Sequence, residues 1–306
     1  AQDDIPAALD IVWSPDGRWM AVPTYHGAWF FDLDNPDVEP IQVLVDSQVS
    51  VIAFDPAVDS LAAIASEASD AEEDNWSVFL FDPTDPDTLD IVNEDKTSLP
   101  VINDIGFTHD GDYLYHNVGN GIQLVDLETG ETTWTSINQL DNLSDHWINN
   151  IVELGEDGMF MASTWSSSLY RMDMNDSSPH FETYMGTADF DSLTLYQVEG
   201  IGDDSVLVQT SDGIYAFDSA AEATTPFDQP IEGRVTGMEV SPDRQFVAIG
   251  GEQRWALMNI ADGTVQLDMG DLMIDDNIQL VFAFAFNADA SQIATLQTDG
   301  QITIYD

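Results

Sequence analysis

Basic residues are almost missing from this chain. Five Arg and one Lys stand against 57 acidic residues in 306, a formal net charge of −51. The shortage excludes DNA and RNA as direct ligands, because no basic stripe is present to neutralise phosphates. It excludes anionic membrane surfaces for the same reason. Cysteine is absent, which rules out disulfides, Cys-ligated zinc, thiol catalysis and a lipidated N-terminal Cys. No apolar run reaches the ~18 residues that a spanning helix needs. Nor is a 3.6-residue apolar period sustained anywhere, so helices are expected to be nearly absent.

What is present is a phrase repeated about every 45 residues. Its clearest copy runs Asp10-Ile-Val-Trp13-Ser14-Pro15-Asp16-Gly17, then Trp19-Met-Ala-Val22, then Gly27-Ala-Trp-Phe-Phe-Asp32. It reads as an apolar strand, a tight turn, a second strand, a short loop and a third strand closed by Asp. Pro presets φ in such a turn, Asp caps the backbone locally, and Gly takes a positive φ. Seven third strands close at Asp32, Asp82, Asp126, Asp173, Asp218, Asn259 and Asp306, at intervals of 41 to 50 residues.

Short strands with turns between them indicate an all-β sandwich, barrel or propeller. The period selects the propeller, since one four-stranded blade consumes about 40–45 residues. A lone blade cannot bury both faces, and stacked neighbours supply the core. The expectation is a single all-β domain, a seven-bladed β-propeller of four-stranded antiparallel blades. The blades run approximately 8–46, 47–95, 100–137, 146–185, 190–230, 233–270 and 277–306. The last lacks an outer strand in sequence, and residues 1–7 are the candidate to close it.

Trp13-Ser14-Pro15-Asp16-Gly17, Val240-Ser-Pro-Asp243 and the Asp-ending third strands resemble those of the WD-repeat and TolB-type β-propellers. The resemblance covers the whole chain. It departs from the stricter WD pattern in having neither a Gly-His pair nor Trp-Asp at strand ends. It implies a fold and no particular activity, because propellers host many functions.

In a propeller, loops between second and third strands share a rim with those joining consecutive blades. That rim is expected to carry Tyr25, His26, His146, Trp147, Trp165, Phe190, Arg234 and Arg254 as partner-binding residues. The aromatics there offer a stacking or anchoring surface, or else pack at loop bases. Each arginine either meets a partner's carboxylate or pairs locally with Glu232 or Glu252. Trp13, Trp19, Trp29, Trp76 and Trp255 lie in strands and are expected in the core.

The acidic insertion holding Asp70, Glu72, Glu73 and Asp74 is either a calcium site, since hard cations want clustered oxygens, or a solvated loop. It lacks the twelve-residue calcium-loop pattern. The five histidines are scattered, and His-Glu-x-x-His, Gly-x-Ser-x-Gly and P-loop motifs are missing. No cofactor other than calcium is expected.

The leading expectation is therefore a non-enzymatic protein-binding or scaffold propeller. A metal-assisted hydrolase of the lactonase type and an assembly subunit joined by strand addition are the alternatives. The opening Ala1-Gln2-Asp3-Asp4 suggests a mature secreted or surface-exposed protein; the cytoplasm of a salt-adapted organism is the other setting.

The 42 Asp and 15 Glu suit high salt, where screening over a Debye length of about 3 Å at 1 M mutes self-repulsion. They suit an acidic medium as well, where protonation discharges them. Crowding is expected to raise folded-state carboxyl pKa values, so that stability rises as pH falls from neutral.

Overall fold

The computed structural model describes the chain except residues 1–7, 59, 68–75, 94–101, 120, 137–146, 155–158, 165–167, 174–180, 186–192, 222, 232, 253, 270–272, 275–276 and 279. Side chains are likewise not described at 93, 134–136, 159, 162, 173, 181–185, 273–274 and 277–278. Every regular element among the described residues is a β-strand. Six four-stranded antiparallel sheets follow one another in sequence, and a three-stranded sheet ends the chain. The seven-bladed β-propeller expected from the repeat is what the chain adopts. Residues 1–7, the candidate closing strand, lie outside the described residues.

The turn joining first and second strands shows why Ser or Thr precedes Asp by two residues. In blade one the Ser14 hydroxyl donates to Asp16 Oδ1 and accepts the Trp19 N–H, and Asp16 also accepts the Arg18 N–H. Thr108 and Asp110 repeat this with Tyr113 and Asp112. Ser241 and Asp243 repeat it with Phe246 and Gln245. In the last blade Asn287 takes the hydroxyl's place, accepting the Gln292 N–H. Local side-chain caps of this kind satisfy turn backbone without help from neighbouring strands.

At the far end of the third strand, Asp32, Asp82, Asp126, Asp218 and Asn259 each accept an N–H from a residue two or three positions on, Asp126 and Asn259 from both. Much of the Asp excess is thus spent on turns.

The chain divides into two compact units. One is Ala1–Gly119 with Gln123–Thr133 and Phe284–Asp306; the other is Asn120–Ile122 with Trp134–Ala283. In the first unit, blades one and two share a core of Trp19, Phe30, Ile52, Phe54, Ile64 and Phe81. Trp13, Trp76 and Trp255 are also buried, and Trp29 is half-buried. In the second unit, blades four and five meet through Leu154, Met161, Leu195, Val198, Val208 and Phe217. Blades five and six meet through Leu207, Ile214, Val235, Met238, Ile249 and Met258.

Among the described residues, first strands of adjacent blades do not share a backbone ladder, and polar side chains link several of them instead. The first strands of blades two, four, five and six each carry a register shift, at Val49/Val51, Ile148/Asn150, Leu195/Gln197 and Val235/Gly237. Such an extra residue leaves the ladder and is re-aimed. Ser50 Oγ donates to Ile102 O at 2.6 Å, Asn149 Nδ2 to Tyr196 O at 2.7 Å and Thr236 Oγ1 to Val281 O at 2.6 Å. One position on, Asn150 Oδ1 accepts the Val198 N–H, while the Gln197 amide donates to Met238 O and accepts from Met238 N. Every one of these bonds reaches forward to the following blade.

Candidate functional site

In the first unit, Tyr25 and His26 sit at the tip of the turn between the second strand (Trp19–Thr24) and third strand (Gly27–Asp32) of blade one. Thr24 Oγ1 donates to Gly27 O and accepts the His26 N–H. Gly27 has φ +104°, and a Cβ there would stand 2.5 Å from Val43 O. The turn therefore requires Thr and Gly and leaves its two tip positions free. Blade five builds the same turn from Thr210 and Gly213, with Ser211 and Asp212 at the tip. In blade one the tip is aromatic, and Tyr25 is 49% exposed.

The adjoining loop, Leu44–Ser47, was not singled out by the sequence. Ser47 N donates to Leu44 O at 3.0 Å, and both Leu44 and Asp46 hold positive φ, 53° and 72°. Leu44 packs against the core of blades one and two, and Val45 is 56% exposed. A single valine in a polar loop gives no periodic signal, which is why pattern reading passes over it.

In the second unit, Trp147 immediately precedes the first strand of blade four and is 47% exposed. Arg234 precedes the first strand of blade six, and its guanidinium lies over the Tyr196 ring at 5.8 Å. Arg254, between the second and third strands of that blade, pairs with Asp268 on the fourth strand at 2.5 Å. Its bonded partner is thus a cross-strand neighbour fourteen residues away, where local pairing with Glu252 was the sequence alternative. Glu232, His146, Trp165, Phe190 and the four carboxylates Asp70, Glu72, Glu73 and Asp74 lie outside the described residues. Among the described residues, no three His, Cys, Asp or Glu side chains converge in a metal-binding group.

The remaining described arginines act at the opposite strand ends. Arg171 of blade four reaches Asp204 at 3.6 Å, and Arg244 of blade six reaches Asp203 at 3.7 Å. Both brace the same turn of blade five. Arg18 pairs with Asp32 within blade one at 2.8 Å. Partly exposed pairs of this kind contribute little each, so their value lies in orienting turns.

The carboxyl shifts depart from the crowding expectation. The Arg18 guanidinium holds Asp32 down at about 2, with Asn35 adding to it. Hydrogen bonds from Thr108, Thr129, Thr264 and Ser291 lower Asp110, Asp126, Asp262 and Asp289. At Asp82 burial pushes upward, but bonds from Thr84 outweigh it. Among the described residues, Asp55 and Asp10 are raised, both by burial, Asp10 to about 6. Burial also pushes His116 down to about 4.

The lowered carboxyls contribute stability that is present above their unfolded values, near 3.9, and lost as pH falls through their folded values. Asp10 contributes stability that is present below about 3.9 and lost as pH rises through about 6. His116 opposes it over the same range, losing stability as pH falls from its unfolded value toward about 4. A plateau above pH 4.5 and a decline below pH 4 are the expected result. Asp10→Asn keeps the acceptor for the Ile11 N–H and removes a half-buried charge. It should melt a few degrees above wild type at pH 7.5 and level with it at pH 4; the reverse order in thermal melts would overturn the assignment.

Neither a protein-family model nor a curated protein matches the chain. Among solved structures, the β-propeller domain of Cps50 (Swd1) from Myceliophteria thermophila is similar over 97% of this chain and 96% of that one. The TM-score is 0.72 and the identity 13%. The likeness is one of fold. With 1570 solved chains similar to this one, it singles out no activity, and the propeller's function has to be argued from its own loops.

Proposed function

We propose that this propeller is a non-catalytic protein-binding or scaffold module, exposed to salt or acid outside the cell, that engages its partner through loops entering and crossing its blades. The supporting observation is the exposure of Tyr25 and Trp147, at 49% and 47%. Tyr25 stands on a turn whose Thr24–Gly27 geometry leaves it free, where blade five fills the matching turn with Ser211 and Asp212, and Trp147 stands just before the first strand of blade four. Large aromatics held in water serve as interface anchors more readily than as solvated surface. Arg234 and Arg254 lie on the loops of blade six and supply the cationic groups there.

Trp147→Ala combined with Arg254→Ala should abolish co-purification of the partner that wild-type protein retains. The thermal midpoint should stay within about 2 °C of wild type, as for a surface change. Unchanged co-purification would remove the second-unit loops from the interface. Loss of both binding and stability would make these residues structural.

A further inference from the structure

We propose that the first unit docks a cationic segment of a partner protein on a prominence formed by Tyr25, His26 and Val45, an inference that rests on the protein-binding reading above. Two loops of blade one meet there. Gln42 Nε2 donates to His26 O at 2.9 Å, and the absent side chain of Gly27 lets the turn lie against the Val43 and Leu44 carbonyls. The exposed tips of both loops therefore rise from one joined base.

Neither tip is required by the fold. Thr24 and Gly27 make the turn, and blade five makes it with Ser211 and Asp212 between the same two residue types. The Leu44–Ser47 loop even carries strain, since Leu44 and Asp46 both occupy the left-handed region that disfavours side chains. Leu44 keeps its core contact while the backbone turns Val45 outward. Strain kept at an exposed apolar tip points to use of that tip rather than to stability.

Charge selects the occupant. With a net charge of −51, a second copy, an anionic membrane and nucleic acid are all repelled, whereas a basic segment is steered inward. Asp46 stands exposed beside Val45. At the other end of this loop, Glu67 N donates to Gln48 O, which brings a second carboxylate-bearing residue to it. An Arg guanidinium can stack on the Tyr25 ring and face the exposed Asp46 carboxylate, and a neighbouring aliphatic side chain can cover Val45.

The test uses the full chain and a labelled ten-residue peptide of alternating Arg and Leu, in about 0.15 M salt so that distant charges are screened. A Gln–Leu peptide of equal length is the control. The Arg peptide is expected to bind and the Gln peptide to fail. Tyr25→Ala with Val45→Ser should weaken binding about tenfold without moving the melting midpoint. Tyr113→Ala, at an exposed aromatic that opens the second strand of blade three, should leave binding intact. Full binding by the Tyr25/Val45 variant overturns the proposal, and a Trp147→Ala arm then decides the wider reading. Loss in that arm alone moves the contact to the second unit and keeps the protein-binding function. No loss in any variant leaves only a diffuse acidic field, which sinks both.

Discussion

Phe30→Ala is expected to lower the free energy of unfolding by about 4 kcal/mol, within the range for deleting a buried ring. Phe30 is fully buried in the third strand of blade one. Its ring stands edge-on to Phe54 with centroids 6.2 Å apart, and tilted against Phe81 at 4.9 Å. Because Phe54 and Phe81 belong to blade two, the substitution empties the seam between two blades rather than one blade's interior. Aromatic pairs of this geometry add about 0.5–1.5 kcal/mol beyond area burial. Urea unfolding should show a lower midpoint with an unchanged slope. A loss below about 1.5 kcal/mol would mean that the seam closes over the cavity.

Gly237→Ala should cost about 3 kcal/mol by a different route, overpacking. A Cβ at Gly237 would stand 2.2 Å from Phe282 O and 2.8 Å from its carbonyl carbon. Both are backbone atoms with no rotamer to yield. The strands would have to separate, stretching the neighbouring Thr236–Val281 bond. Gly263→Ala provides the contrast. Its Cβ would meet nothing within 4 Å, but φ is +69°, so only backbone strain of about 1–2 kcal/mol applies. Thermal melts of the two variants should separate clearly, and equal losses would refute crowding as the cause at Gly237.

The fold was legible because its turns are chemically explicit. Ser14-Pro15-Asp16-Gly17 and its copies satisfy the backbone locally, so residue types survive at fixed offsets even where strand sequences drift. The first strands were less legible. Val49 and Ile52 are buried three residues apart, as are Ile148 and Ile151, where regular alternation would bury every second residue. The bulge breaks the period of two, and it also frees Ser50, Asn149 and Thr236 to reach the following blade.

The candidate loops were only partly readable. Topology places Tyr25, His26, Trp147, Arg234 and Arg254 on loops, but exposure is not a property of a residue type. Arg234 stacks on Tyr196 and Arg254 meets Asp268, partners distant in sequence. Val45 owes its position to the left-handed backbone at Leu44 and Asp46, which no composition rule foretells. Nor does crowding of acidic residues predict their titration: hydrogen bonds at turns take Asp32, Asp82, Asp110, Asp126, Asp262 and Asp289 down, and burial takes Asp55 and Asp10 up.

The forward-reaching side chains bear on how such a chain lengthens. Ser50, Asn149, Asn150, Gln197 and Thr236 all bond to backbone atoms of the next repeat, and backbone is the same whatever its sequence. Each of these four repeats thus carries its own coupling and asks of its successor only an exposed carbonyl or amide. A duplicated segment would arrive already able to join its neighbour, and neighbours could diverge without co-adapting. Low identity between propellers of matching shape is the evolutionary outcome that such a one-sided connector permits.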